Sequence, residues 1–110
     1  MGYNIRSFDD RVIVARSMIH GITTPRLLNL SRYDKNSIDL MTILFQGPKA
    51  MKLKNLVHNL GIEPPAGDMD GSHVADLFFS GQLELLREYV ASDCVVEMEL
   101  LKKLQDVVEI

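Results

Sequence analysis

Apolar and polar residues along this chain recur with the spacing of helices far more often than with that of strands. From Asp9 onward, Val12, Ile13, Ala15, Arg16 and Ile19 form one mixed face, and Gly21 followed by Pro25 closes the segment. Residues 1–8 read as the end of an extended segment and a turn. Residues 22–37, rich in Thr, Pro, Asn, Ser and Asp, read as a loop with one short turn. In "SIDLMTILF", Asp39 is placed to cap a short helix through Phe45, although so dense an apolar run also permits the start of a strand. Residues 49–60 predict a clearer helix, with Leu53, Leu56, Val57 and Leu60 on one face and Gly61 as its C-cap. "IEPPAGDMDG" is a loop, and a helix runs from near Ser72 to Phe79. Leu83, Leu86, Tyr89 and Val90 mark another. A final segment places Val96, Leu100, Leu104, Val107 and Val108 on one face. The pattern predicts a mostly α chain, a single domain over residues 1–110 without repeats or linkers. So few strand residues cannot build a sheet. Any sheet under these helices would lie outside this sequence or be badly truncated.

Composition narrows the class. A length of 110 residues gives one domain with a modest core. A formal net charge of −3 does not advertise long-range attraction to nucleic acid, though it leaves room for a local site. Cys94 is the only cysteine, so no internal disulfide forms, which fits a reducing compartment. No apolar run approaches the roughly 18 residues of a membrane helix. Asn4, Arg6, Asp9 and Asp10 interrupt any signal-peptide pattern. The default is a soluble cytoplasmic protein.

Two stretches combine polar groups with apolar flanks: Asn4-Ile5-Arg6-Ser7-Phe8-Asp9 and Tyr89-Val90-Ala91-Ser92-Asp93. In the second, Tyr and Asp stand four apart and share one helical face. A phenol beside a carboxylate can position a water that a carboxylate-bound metal has made acidic. Two-metal phosphoryl transfer uses such parts, and oxygen ligands suit Mg²⁺ or Mn²⁺. Taken alone, an Asp at a helix start is ordinarily a cap, and a Tyr four residues before an Asp is ordinarily a half-buried ring beside a solvated acid. Other features read as ordinary structure. Lys49, Lys52 and Lys54 form a small basic cluster that could meet phosphates but reads first as a solvated helix face. His20, His58 and His73 lack metal-ligand spacing. Cys94, Met18, Met41, Met51 and Met98 read as core. Asp68 and Asp70 read as a turn and helix cap rather than a calcium loop.

Together the two stretches say more. "GYNIRSFD" resembles the second exonuclease motif of the family-B DNA polymerase proofreading domain, Asn-x-x-x-Phe-Asp. "YVASD" resembles the third, Tyr-x-x-x-Asp. They occur in the family's order. "FDDRVIVARSMIHGI", "IDLMTIL", "LKNLVHNLGI" and "DGSHVADLFFSGQLELLREYVASDC" are similar to segments of the predicted 3′-5′ exonucleases related to that domain, so the likeness covers nearly the whole chain.

The resemblance implies the C-terminal helical part of an α/β ribonuclease-H-like exonuclease of DEDDy type, lacking most of the central sheet. It implies four carboxylates around Mg²⁺ or Mn²⁺, with a single-stranded DNA 3′ end as substrate and nucleoside 5′-monophosphates as products. By that likeness Asp9 matches the second-motif metal-holding Asp, and Asp93 the third-motif ligand. Tyr89 matches the residue that orients the attacking water, and Asn4 and Phe8 match residues that contact the 3′ end. Asp10 is the less fitting substitute for Asp9, because the motif places its acid directly after Phe. Two departures stand out. No Asp in the chain has a Glu two positions later, so the first motif, Asp-x-Glu, is missing; and Arg11 stands where the family commonly has proline. Two aspartates alone should hold Mg²⁺ weakly, so the isolated chain is expected to be an inefficient catalyst. A rival expectation is a non-catalytic helical module derived from that family, whose apolar faces bind an N-terminal half or a second copy.

Overall fold

The computed structural model describes residues 1–24, 30, 37–45, 50–67, 69 and 71–109, and the chain divides into two compact units, Met1–Ala50 and Met51–Ile110. Both are helical. Among the described residues there is no β-strand, only one isolated bridge. Lys49, Asp68 and Asp70 lie outside the described residues.

The first unit begins with a π-helical turn, Ile5–Asp9, that runs directly into α1, Asp10–His20. Gly21 ends α1 at φ 63°, a left-handed conformation that glycine adopts without steric cost, and the Ile22 N–H returns to the Ser17 carbonyl. A short α2, Leu40–Leu44, follows Asp39, whose carboxylate accepts from the Met41 N–H at 3.1 Å. Asp39 is therefore a helix cap, as its position before an apolar run suggests. The apolar face anticipated on α1 is uncovered: Val12 and Ile13 are about half exposed, and Met18 and Ile19 more so. Among the described residues of this unit, Leu40 is the buried large apolar side chain.

The second unit holds α3, Leu53–Asn59; a 3₁₀ turn, Gly71–His73; α4, Val74–Phe79; and α5, Leu83–Gln105. α3 starts at Leu53 rather than 49, because Lys52 is extended at ψ 144°. Gly61, at φ 69°, closes α3 with its N–H on the His58 carbonyl and that of Ile62 on Val57. The two helical segments anticipated after Leu83 are one helix. Nothing between Leu83 and Gln105 is glycine or proline, so the small polar residues at Ser92 and Asp93 interrupt the apolar pattern without interrupting the backbone. Its buried stripe is Ser92, Val96, Leu100 and Leu104, spaced by four. With Val57 and Leu77 these form the core of the unit. Val107 and Val108 fall past the end of α5 and are exposed. Cys94 and Met98 lie off the buried stripe and are exposed, as is Met18 on α1, so these three are not core residues.

Candidate active site

The Asn4–Asp9 stretch is held by a buried carboxylate far away in sequence. Asp39, 2% exposed, accepts the Asn4 N–H at 2.8 Å on Oδ1 and the Arg6 N–H at 3.0 Å on Oδ2, besides capping α2. Gly2 pairs with it in a parallel bridge: the Gly2 N–H donates to the Ile38 carbonyl, and the Leu40 N–H to the Gly2 carbonyl, each at 2.9 Å. The Arg6 guanidinium donates to the Ser37 carbonyl at 2.9 Å. Parallel neighbours need a crossover between them, and α1 lies within this one. Burial, with the Asp39 charge as a second cause, raises the Tyr3 phenol above its ordinary value.

This clamp sets an unusual backbone. Asn4 sits at φ 63°, ψ 25°, the one non-glycine residue with positive φ among those described. Asparagine tolerates that region better than most side chains. Its amide oxygen accepts the Ser7 hydroxyl. From Asn4 the chain turns wide, closing on the Ile5 carbonyl through the Asp10 N–H. Such π-turns recur at functional sites. Asp9 is exposed and does not cap α1. It already has helical angles, φ −59° and ψ −48°, so its side chain is not turned back toward the free N–H groups. Phe8 is also exposed, and Asp10 is buried at the first position of α1.

The second unit supplies Tyr89 and Asp93. Both are half-buried on α5, and the Tyr89 hydroxyl donates to the Asp93 carboxylate across one helical turn. Burial raises the Asp93 carboxyl above its ordinary value, and the bond from Tyr89 partly offsets this. The pair lines a cavity of about 400 Å³ whose floor includes Val57, Ile62 and Val96. Ser92, 4% exposed, fastens one wall: its hydroxyl accepts the Ala66 N–H at 3.0 Å and ties the loop after α3 to α5. No role for Ser92 itself is readable from its residue type. Its place between Tyr89 and Asp93, on the buried stripe, was the available sign. Lys52 and Lys54 are exposed, as expected of a solvated face, and with His58 they border the same cavity.

Asn4, Phe8 and Asp9 thus belong to the first unit, and Tyr89 and Asp93 to the second. Asp9 and Asp93 offer the hard oxygen atoms that Mg²⁺ or Mn²⁺ prefers. Among the described residues, no three His, Cys, Asp or Glu side chains gather to hold a metal ion. The donors fit such a cation in kind but not in number.

A family model for predicted 3′-5′ exonucleases related to the exonuclease domain of PolB matches residues 1–105. The chain belongs to that family. No curated protein and no solved structure matches it. The match spans both units, and so takes in the clamped Asn4–Asp9 turn and the Tyr89–Asp93 pocket of this exonuclease relative. Among the described residues no helix is long and apolar enough to cross a membrane.

Proposed function

We propose that this member of the family carries the second and third motifs of a DEDDy-type 3′-5′ exonuclease. It acts on single-stranded DNA 3′ ends and releases nucleoside 5′-monophosphates. The observation that carries the reading is the hydrogen-bonded Tyr89–Asp93 pair on the wall of a cavity large enough for a nucleotide. The Tyr89 hydroxyl spends its proton on Asp93 and keeps its oxygen lone pairs, which can accept from a water and orient it. Asp93 and Asp9 are the residues that would hold a divalent cation. Mg²⁺ or Mn²⁺ supplies, when bound, acidification of the attacking water and neutralisation of phosphate charge. Asn4 and Phe8 contact the 3′ end: Phe8 offers an exposed ring for stacking on a base.

With no Asp-x-Glu in the sequence and no three-ligand cluster among the described residues, the chain alone hydrolyses poorly and gains from added carboxylates. The test is release of mononucleotides from a 3′-labelled single strand with Mg²⁺ or Mn²⁺. The chain is assayed alone, and then joined to a segment carrying Asp-x-Glu. Hydrolysis by the joined form, lost on Asp93→Asn, is expected. Absence of hydrolysis in both forms sinks the reading, and efficient hydrolysis by the chain alone sinks the claim that it is incomplete.

A second reading is a helical interaction module whose partner is an N-terminal half or another copy. Exposed apolar side chains on and after α1, including Met18, Ile19 and Ile22, favour it. A monomer in gel filtration that gains nothing from an N-terminal segment would remove it.

A further inference from the structure

α5 carries two apolar rows. The buried stripe, Ser92, Val96, Leu100 and Leu104, packs into the core of the second unit. A second row, Leu83, Val90, Cys94 and Leu101, runs along another side of the same helix. At about 100° per residue these four share a narrow arc outside the buried stripe. Leu83 and Val90 are about half exposed, Cys94 is exposed, and Leu101 is partly exposed. Met98, also about half exposed, borders the row. On a 23-residue helix, about 35 Å long, this is a continuous apolar strip rather than a scatter of single side chains.

We infer that this face of α5 binds a second copy of the chain as an antiparallel two-helix interface. The spacing along the row is seven, four and seven residues, which reads the same in both directions. A two-fold axis at the level of Ser92 therefore sets Leu83 against Leu101 and Val90 against Cys94, twice over. The charges agree with that direction. Glu84 and Lys102 stand eighteen residues apart, about five turns, so both lie on one flank of the row. In an antiparallel pair, Glu84 of each copy comes to within about 3 Å, along the axis, of Lys102 of the other. A parallel pair would set Glu84 against Glu84 and Lys102 against Lys102. Within the chain these two side chains are largely exposed and hold partners one turn away, Arg87 at 3.3 Å and Glu99 at 3.0 Å. Such surface pairs exchange at little cost, so the charges set direction and register while the apolar row supplies the affinity. The face belongs to the second unit, apart from the α1 side chains that favour an interaction module, and it does not depend on the exonuclease assignment.

The test follows the full chain, kept reduced, by sedimentation equilibrium over a wide range of concentration. A reversible dimer is expected. Leu83→Glu with Val90→Glu raises its dissociation constant by about 100-fold or more, because charges without partners would be buried at each end of the interface. If circular dichroism shows that variant unfolded, Val90→Ser carries the same test with a rise of about tenfold. Met18→Glu with Ile19→Glu, on α1, leaves the dimer intact. Glu84→Lys and Lys102→Glu each weaken association by about three- to thirtyfold, and the two together restore it, since the facing charges are again opposite. A monomer at every concentration, or a dimer indifferent to Leu83 and Val90, overturns the interface. A dimer broken by the α1 changes instead also overturns it, and favours the interaction module. Single charge changes without effect, or a double change without recovery, overturn the antiparallel pairing. Mononucleotide release is a separate readout, so the dimer and the exonuclease fail independently.

Discussion

Asp39 and Asp93 are both sheltered aspartates, yet they do opposite things. Asp39 is buried and spends its oxygens on three backbone N–H groups, from Asn4, Arg6 and Met41. Asp93 is half-buried, takes one bond from a hydroxyl on its own helix, and lines a cavity. The first carboxylate is consumed by structure. The second is kept partly desolvated, its charge disfavoured by burial. A saturated carboxylate fixes a backbone, whereas an unsaturated one at a cavity wall is open to a ligand, at some cost in stability.

Substitutions at each end of this contrast should behave differently. The largest effect expected is on Asp93→Asn in a hydrolytically competent form, a loss of about a thousandfold in rate, or about 4 kcal/mol. The same change should leave the fold at least as stable. Because burial raises the Asp93 carboxyl, the folded chain keeps that proton to higher pH than the unfolded chain does. Between the ordinary carboxylate range and the raised value the folded state binds more protons, so this contribution to stability falls as pH rises. Thermal melts should therefore show Asp93→Asn gaining on wild type from acid to neutral pH. A variant that loses ground over that interval would place Asp93 with Asp39.

Asp39→Ala comes next, costing about 3 kcal/mol of stability in the first unit by stranding three N–H groups. Hydrogen exchange should report it first at the Asn4, Arg6 and Met41 amides, with the amides of α5 unchanged. Asp39→Asn sharpens the point, since an amide oxygen can serve Asn4 and Met41 while its NH₂ faces the Arg6 N–H donor.

Tyr89→Phe should slow hydrolysis by about 10- to 100-fold. It should also raise the Asp93 carboxyl further, because the bond it removes is the one that lowers it. A ¹³C titration of that carboxyl is the check, and a downward movement would contradict the pairing. The smallest effect is Ser92→Ala, about 1 to 2 kcal/mol, from leaving the Ala66 N–H without its acceptor. Faster exchange at Ala66 would register it.

What was legible in the sequence follows the range of the interactions. Tyr89 and Asp93 are four residues apart, and helix geometry alone brings them to one face. Gly21 and Gly61 announce the ends of α1 and α3 through local backbone rules. The Asp39 cap on α2 was readable for the same reason. Its bonds to Asn4 and Arg6 were not, since they reach across 35 and 33 residues. The join of two segments into α5 was hidden because periodicity registers side-chain faces, and small polar residues blur a face without breaking a helix. The exposure of Lys52 and Lys54 follows from their charge, whereas their place beside His58 and Asp93 at one cavity depends on the fold.

The chain's single thiol, Cys94, is exposed and directly follows Asp93 along α5. A nitroxide attached there needs no engineered cysteine and no removal of competing ones. Paramagnetic broadening of that label by Mn²⁺ would act as a ruler anchored beside the third motif, turning the whereabouts of a bound cation into a distance measured in solution.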